Sequence, residues 1–170
     1  MTKVICPGSF DPVTKGHVDI ITRAEALFDE VVAVVVVNPA KNPAFTVAER
    51  MALLRKSTAH LPNVSVDSHS GLLAGYIKQT GAVAIVKGLR AMSDFEYEFQ
   101  MALTNKKLAP EAETIFLTTS IDYMYLSSGL VKQVSAFEGD ISAFVPGEVL
   151  KDIELRLRGR HLAEQGGEIT

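Results

Sequence analysis

The sequence predicts one α/β domain, a doubly wound, parallel, five-stranded sheet with helices on both faces. Three observations predict it. Apolar, β-rich runs alternate with helical stretches along the chain, and strands joined through helices pair in parallel with right-handed crossovers. The run at 31–37 is nearly all valine, which suits a strand covered on both faces. The 170 residues hold no repeat, low-complexity segment or linker that would split them, and that length supports one substantial core.

Residues 4–6 open the series as a strand, followed by a helix over 17–28 with Ile21, Ala24, Leu27 and Phe28 on one face. After the valine strand, Thr46 and Glu49 have the spacing of a capping box for a helix to residue 60. A short strand at 64–67 precedes a helix at 72–79, ended by Gly81. A fourth strand spans 82–87, and Ser93 with Glu96 forms a second capping box for a helix to residue 108. A fifth strand spans 114–118, a helix starts near Ser127 or Ser128, and a last helix covers 146–161. These elements make a Rossmann-like domain over residues 1–160, with 161–170 expected as a polar, disordered tail.

Composition narrows function by exclusion. The 47% apolar and 22% charged shares are those of an ordinary soluble globular protein. The longest strongly apolar run, at 31–37, is far shorter than the roughly 20 residues a membrane helix needs. No apolar leader precedes the strand residues that begin at Val4, so no signal peptide is expected. Cys6 is the only cysteine, which excludes an internal disulfide and a cysteine-based zinc site and fits a reducing cytoplasm. A net charge of −3 offers no general attraction to nucleic acid or an anionic membrane, so a bound anion must be held locally. His60, His69 and His161 have neither the mutual spacing nor the carboxylate partners of a metal site.

In an open α/β sheet the ligand lies beyond the carboxyl ends of the strands, where strand order reverses. The unusual residues fall in those loops. After strand one come Gly8, Ser9 and Phe10 and then T-K-G-H at 14–17, with His17 placed at a helix start. Free N–H groups there favour a phosphate, and the imidazole could stabilise charge growing on an α-phosphate oxygen. An ordinary turn would also account for a lone G-x-H. After strand two, Lys41 sits in a proline-flanked loop, as a solvated lysine or as a phosphate contact. After strand four, Lys87 and Arg90 flank Gly88 just before a helix, and Glu98 follows one turn in, facing the site or balancing the cations. After strand five, Ser127 and Ser128 stand at a helix start, able to cap it or to meet further phosphate oxygens.

The shared location of these groups suits a nucleoside triphosphate and a second phosphorylated substrate. No carboxylate pair, Ser–His–Asp order or cysteine nucleophile competes for it. Neither G-x-G-x-x-G nor G-x-x-x-x-G-K-[ST] occurs, which argues against a conventional dinucleotide dehydrogenase and against a phosphate-loop kinase.

"PGSFDPVTKGHVDI", "KGLRAMSDFEYEFQM" and "SSGLVKQV" resemble the phosphopantetheine adenylyltransferases, over residues 3–157. The T-x-G-H form of the nucleotidyltransferase H-x-G-H motif and F-E-Y-E at 95–98 carry the likeness. The resemblance implies transfer of adenylate from ATP to 4′-phosphopantetheine by in-line attack, assisted by Mg²⁺, without a covalent enzyme intermediate. It implies that His17 stabilises the transition state, helped by Lys41 and Arg90. It places Ser9, Lys41, Leu73 and Lys87 on the acceptor. It places Ser9, Phe10, His17, Gly88, Leu89, Arg90, Glu98 and the run Tyr123, Met124, Tyr125, Leu126, Ser127, Ser128, Gly129 on ATP. No protein ligand for the metal is expected, since phosphates and water would hold it. A cytoplasmic homohexamer of two trimers and inhibition by coenzyme A at the same site are implied as well. Ser9 stands where many members have threonine, Lys87 where many have arginine, and Gly129 where many have a hydroxyl. The alternatives are a related nucleotidyltransferase acting on another phosphorylated acceptor, such as nicotinamide mononucleotide or glycerol phosphate, and a nucleotide-binding protein without catalysis.

Overall fold

The computed structural model describes residues 1–38 and 42–166. Five strands, β1 (Lys3–Gly8), β2 (Glu30–Val37), β3 (Val64–Ser70), β4 (Ala84–Leu89) and β5 (Glu113–Thr118), form one sheet in the order β3-β2-β1-β4-β5. All four pairings are parallel, as the alternation of strands and helices requires. The chain steps outward from β1 through β2 to β3, then returns to place β4 on the other side of β1. Strand order therefore reverses between β1 and β4, and their carboxyl ends open a crevice.

The described residues form six α-helices: α1 (Lys15–Glu25), α2 (Val47–Ser57), α3 (Leu73–Thr80), α4 (Met92–Leu108), α5 (Ser128–Ala136) and α6 (Leu150–Gly166). The pleat divides β2 between two cores. Val31, Ala33 and Val35 join Ile21 and Ala24 of α1, Leu54 of α2, Val131 of α5 and Ile153 of α6, while Val32 and Val34 join Ala74, Tyr76 and Ile77 of α3. A strand buried on both faces needs no polar alternation, which explains the valine run.

The structure moves several boundaries. α1 starts at Lys15, because Thr14 is its cap, so His17 is the third helical residue rather than the first. β3 continues to Ser70, laddered to β2 as far as Val37. The expected box would need Ser93 to stand ahead of its helix, but Ser93 is the second residue of α4. α4 begins at Met92 after an extended Ala91 whose side chain makes no cap bond, and Asp94 supplies the acidic group of the first turn. Single 3₁₀ turns at Ile121–Tyr123 and Gly147–Val149 were not legible, and the second shortens the expected start of α6. α6 runs to Gly166, through residues 161–166 of the expected tail; 167–170, like Lys41, lie outside the described residues.

The loop after β1 is held by Asp11, which is nearly buried. Its carboxylate accepts the Ala44 N–H at 3.0 Å and the Phe45 N–H at 2.9 Å, and pairs with Lys132 of α5 at 2.9 Å. One side chain thus joins the β1–α1 turn, the approach to α2 and α5. Burial alone would raise its pKa, but the Lys132 contact and the two backbone donors outweigh burial and hold it below the usual 3.8. Asp11→Asn keeps the volume and loses the charge, so unfolding by denaturant at pH 7 should show a loss of about 2 kcal/mol. A depressed carboxylate contributes above its unfolded pKa and loses that contribution as pH falls through the folded value. The deficit should therefore be complete at pH 7 and close below 3.8.

Candidate active site

The crevice between the ends of β1 and β4 is a cavity of about 760 Å³, lined from four directions by the β1–α1 turn, the β4–α4 segment, the start of α5 and the start of α3. In the β1–α1 turn, Phe10 has a left-handed backbone (φ 46°) and its ring lies against Gly8, where a Cβ would come within 3.0 Å of Phe10 Cζ. Glycine at that position lets the ring fold back over the strand end. The Phe10 ring also meets His17 edge-on, with centroids 5.0 Å apart.

His17 and Thr14 close the first turn of α1 reciprocally. The His17 N–H donates to Thr14 Oγ1 at 3.3 Å, and the Thr14 N–H donates to His17 Nδ1 at 3.0 Å. This capping box has a histidine in the place of the usual Glu or Gln. An Nδ1 that accepts a backbone N–H carries no proton, so the neutral imidazole has its hydrogen on Nε2. Burial first, and then the Arg90 guanidinium, push its pKa down to about 4. At neutral pH, then, His17 is an uncharged donor through Nε2 at the edge of the cavity.

Across the crevice, Lys87 pairs with Glu98 at 3.3 Å, so Glu98 balances a cation and lines the cavity at once. Arg90 pairs with Asp94 at 3.0 Å and donates to the Leu126 carbonyl at 2.9 Å, which ties the β4 end to the segment before α5. Gly88 is required by packing, since a Cβ there would lie 2.8 Å from Ile20 Cγ1. At α5, Ser127 Oγ accepts the Leu130 N–H as N-cap, and Ser128 Oγ donates to the Pro12 carbonyl. Both serines line the cavity.

Of the residues singled out from sequence, Ser9, Phe10, His17, Leu73, Lys87, Gly88, Arg90, Glu98, Leu126, Ser127 and Ser128 line this one cavity. Leu89, Tyr123, Met124, Tyr125 and Gly129 are not in its lining, and Tyr123 borders a separate recess beside Lys15 and His60. Sequence reading missed the inner face of α4, where Met101, Ala102, Asn105 and Leu108 line the cavity. Their spacing from Glu98 by three, four, seven and ten residues is a helical stripe that could have shown it. Cys6 also borders the cavity, but burial pushes its thiol up to about 12, far from a nucleophile. Among the described residues there is no group of three His, Cys, Asp or Glu side chains able to hold a metal, and no helix long and apolar enough to cross a membrane.

Residues 5–134 match the cytidylyltransferase-like family. The chain is 55% identical over 150 residues to a phosphopantetheine adenylyltransferase of Heliobacterium modesticaldum, covering 88% of this chain and 89% of that one. It is 58% identical over 146 residues to one of Caldanaerobacter subterraneus subsp. tengcongensis, covering 86% and 91%. Among solved structures it is similar to the lipopolysaccharide core biosynthesis protein from Thermoplasma volcanium, with a TM-score of 0.54 and 23% identity, over 71% of this chain and 98% of that one. That likeness concerns the fold alone. With the fold, the cavity and these relatives in agreement, the chain belongs to the phosphopantetheine adenylyltransferases, within the cytidylyltransferase-like family.

Proposed function

We propose that the chain transfers the adenylyl group of ATP to 4′-phosphopantetheine, forming dephospho-coenzyme A and pyrophosphate. An oxygen of the pantetheine phosphate attacks the α-phosphorus as the bond to the departing pyrophosphate breaks, with no covalent enzyme intermediate. The observation that carries the reading is the Thr14–His17 bond, which leaves Nε2–H as a fixed neutral donor at the cavity edge. A donor held in place before the reaction stabilises an oxygen that gains charge in the transition state.

The other groups act by position and charge. Arg90 and Lys87 offer cations, with Lys41 as a third. Ser9, Phe10, Gly88, Ser127 and Ser128 meet the triphosphate, with Leu89, Glu98, Leu126 and the run Tyr123, Met124, Tyr125 and Gly129 assigned to ATP by family likeness. Leu73 and the α4 stripe at Ala102 and Asn105 receive the pantetheine arm. Mg²⁺ would neutralise the phosphates. The cavity carboxylates Asp94 and Glu98 are already paired, so phosphates and water would hold the ion. The exposed apolar residues of α4, Tyr97, Phe99 and Leu103, support assembly, and a homohexamer fits that need. Inhibition by coenzyme A at this cavity and residence in the cytoplasm complete the reading. Reported relatives are named for one acceptor, so nicotinamide mononucleotide or glycerol phosphate as acceptor is not favoured.

Pyrophosphate release from ATP should require 4′-phosphopantetheine, and His17→Ala should lower kcat by roughly 10²–10³ without unfolding the protein. Release without the acceptor, or near-normal turnover in folded His17→Ala, contradicts the assignment. The pH dependence is a second check. An imidazole with a pKa of about 4 stays neutral from pH 8 to pH 5, so the ratio of wild-type to His17→Ala activity should be flat over that range. A ratio that changes about tenfold per pH unit near 6.5 would mean that His17 acts as a cation.

A further inference from the structure

Arg50 sits on the inner face of α2 with Leu53, Leu54 and Ser57, and is only 4% exposed. A guanidinium so placed ordinarily has a carboxylate partner, because burial strips its hydration. The carboxylates at hand are committed elsewhere. Glu49, next to it, caps Thr46 and pairs with Arg156 at 3.3 Å, while Asp11, two residues past Ser9, is taken up by Ala44, Phe45 and Lys132. Among the described residues Arg50 forms no ion pair. Its Nη1 donates to the Ser9 carbonyl at 2.9 Å, and its buried Nε meets no acceptor.

We propose that Arg50 is a positioning residue for adenylyl transfer, locking the Ser9–Phe10 peptide so that its N–H faces the triphosphate. The inference rests on the function proposed above. A trans peptide plane points its C=O and N–H in opposite directions. Ser9 and Phe10 line the cavity and Arg50 does not, so a carbonyl drawn back to Arg50 turns the Phe10 N–H toward the cavity. That N–H has no acceptor among the described residues. Phe10 holds a φ of 46°, a left-handed backbone that disfavours a side chain with a Cβ. Rotation of the peptide about Ser9 ψ and Phe10 φ would relieve that strain and swing the carbonyl oxygen to where the phosphate must lie. The Arg50 bond opposes this rotation, and its charge keeps the carbonyl turned away from the incoming anion.

The test compares wild type, Arg50→Met, which keeps the stem, and Arg50→Lys, which restores a cationic donor. ATP affinity is read by calorimetry, KM separately for each substrate, and folding by the thermal midpoint. Arg50→Met should fold, bind ATP about tenfold or more weakly, and keep its KM for 4′-phosphopantetheine, with Arg50→Lys recovering part of the ATP affinity. Unchanged ATP affinity in folded Arg50→Met, or equal losses for both substrates, overturns the proposal. If Arg50→Met does not fold, wild-type hydrogen exchange decides. The Phe10 amide should exchange freely without nucleotide and slow about tenfold or more with saturating ATP, by the same hydrogen-bond argument. Protection that is equal with and without ATP overturns the proposal. A wild type that releases no pyrophosphate with 4′-phosphopantetheine instead overturns the function, which separates the two failures.

Discussion

The hydrogen bond from the Thr14 N–H to His17 Nδ1 is the constraint on which the site depends. It satisfies one of the orphan donors at the start of α1, and in the same stroke it fixes the imidazole tautomer. A helix end that would otherwise look to water is thereby turned into an aimed donor. The turn before it is anchored from behind by Asp11, whose partners come from the approach to α2 and from α5. Sheet topology completes the arrangement. Because β1 is central and β4 returns to its far side, the turn carrying His17 and the segment carrying Lys87 and Arg90 face each other across one crevice.

The electrostatics of that crevice resolve an apparent conflict in the composition. A chain of net charge −3 is a poor general attractor of anions, yet the cavity holds cations already oriented by carboxylates. The pairs Lys87–Glu98 and Arg90–Asp94 hold long side chains in place, which lowers the ordering cost of meeting the triphosphate in the proposed reaction. Arg90 does more, since its charge helps keep His17 neutral. In the proposed adenylyl transfer, uncharged imidazole and fixed guanidinium are complementary: the first is suited to charge as it forms, the second to charge already present.

Most of the fold was legible because it is written in local periodicity. The valine run of β2, the capping box at Thr46 and the glycine stop at Gly81 each act within a few residues of themselves. The site loops were legible for the same reason, through unusual residues at strand ends. What escaped depends on partners distant in sequence. Asp11 meets residues 44, 45 and 132, and nothing near Asp11 announces it. α4 starts at Met92 although Ser93 and Glu96 have cap spacing, because the extended Ala91 and the Arg90–Asp94 pair set the start. Arg50 stands at a core position of α2, where a charged residue reads as solvated unless the carbonyl it serves, at Ser9, is known.

The most direct measurement is the ¹⁵N spectrum of the His17 imidazole in folded protein at pH 7, with and without ATP. The geometry requires a neutral ring protonated at Nε2 in the free protein, and the proposed contact with the triphosphate requires the Nε2 resonance to move when ATP is added and stay put with adenosine alone. A cationic ring, a proton on Nδ1, or an Nε2 signal indifferent to ATP would contradict the account of how this chain stabilises adenylyl transfer.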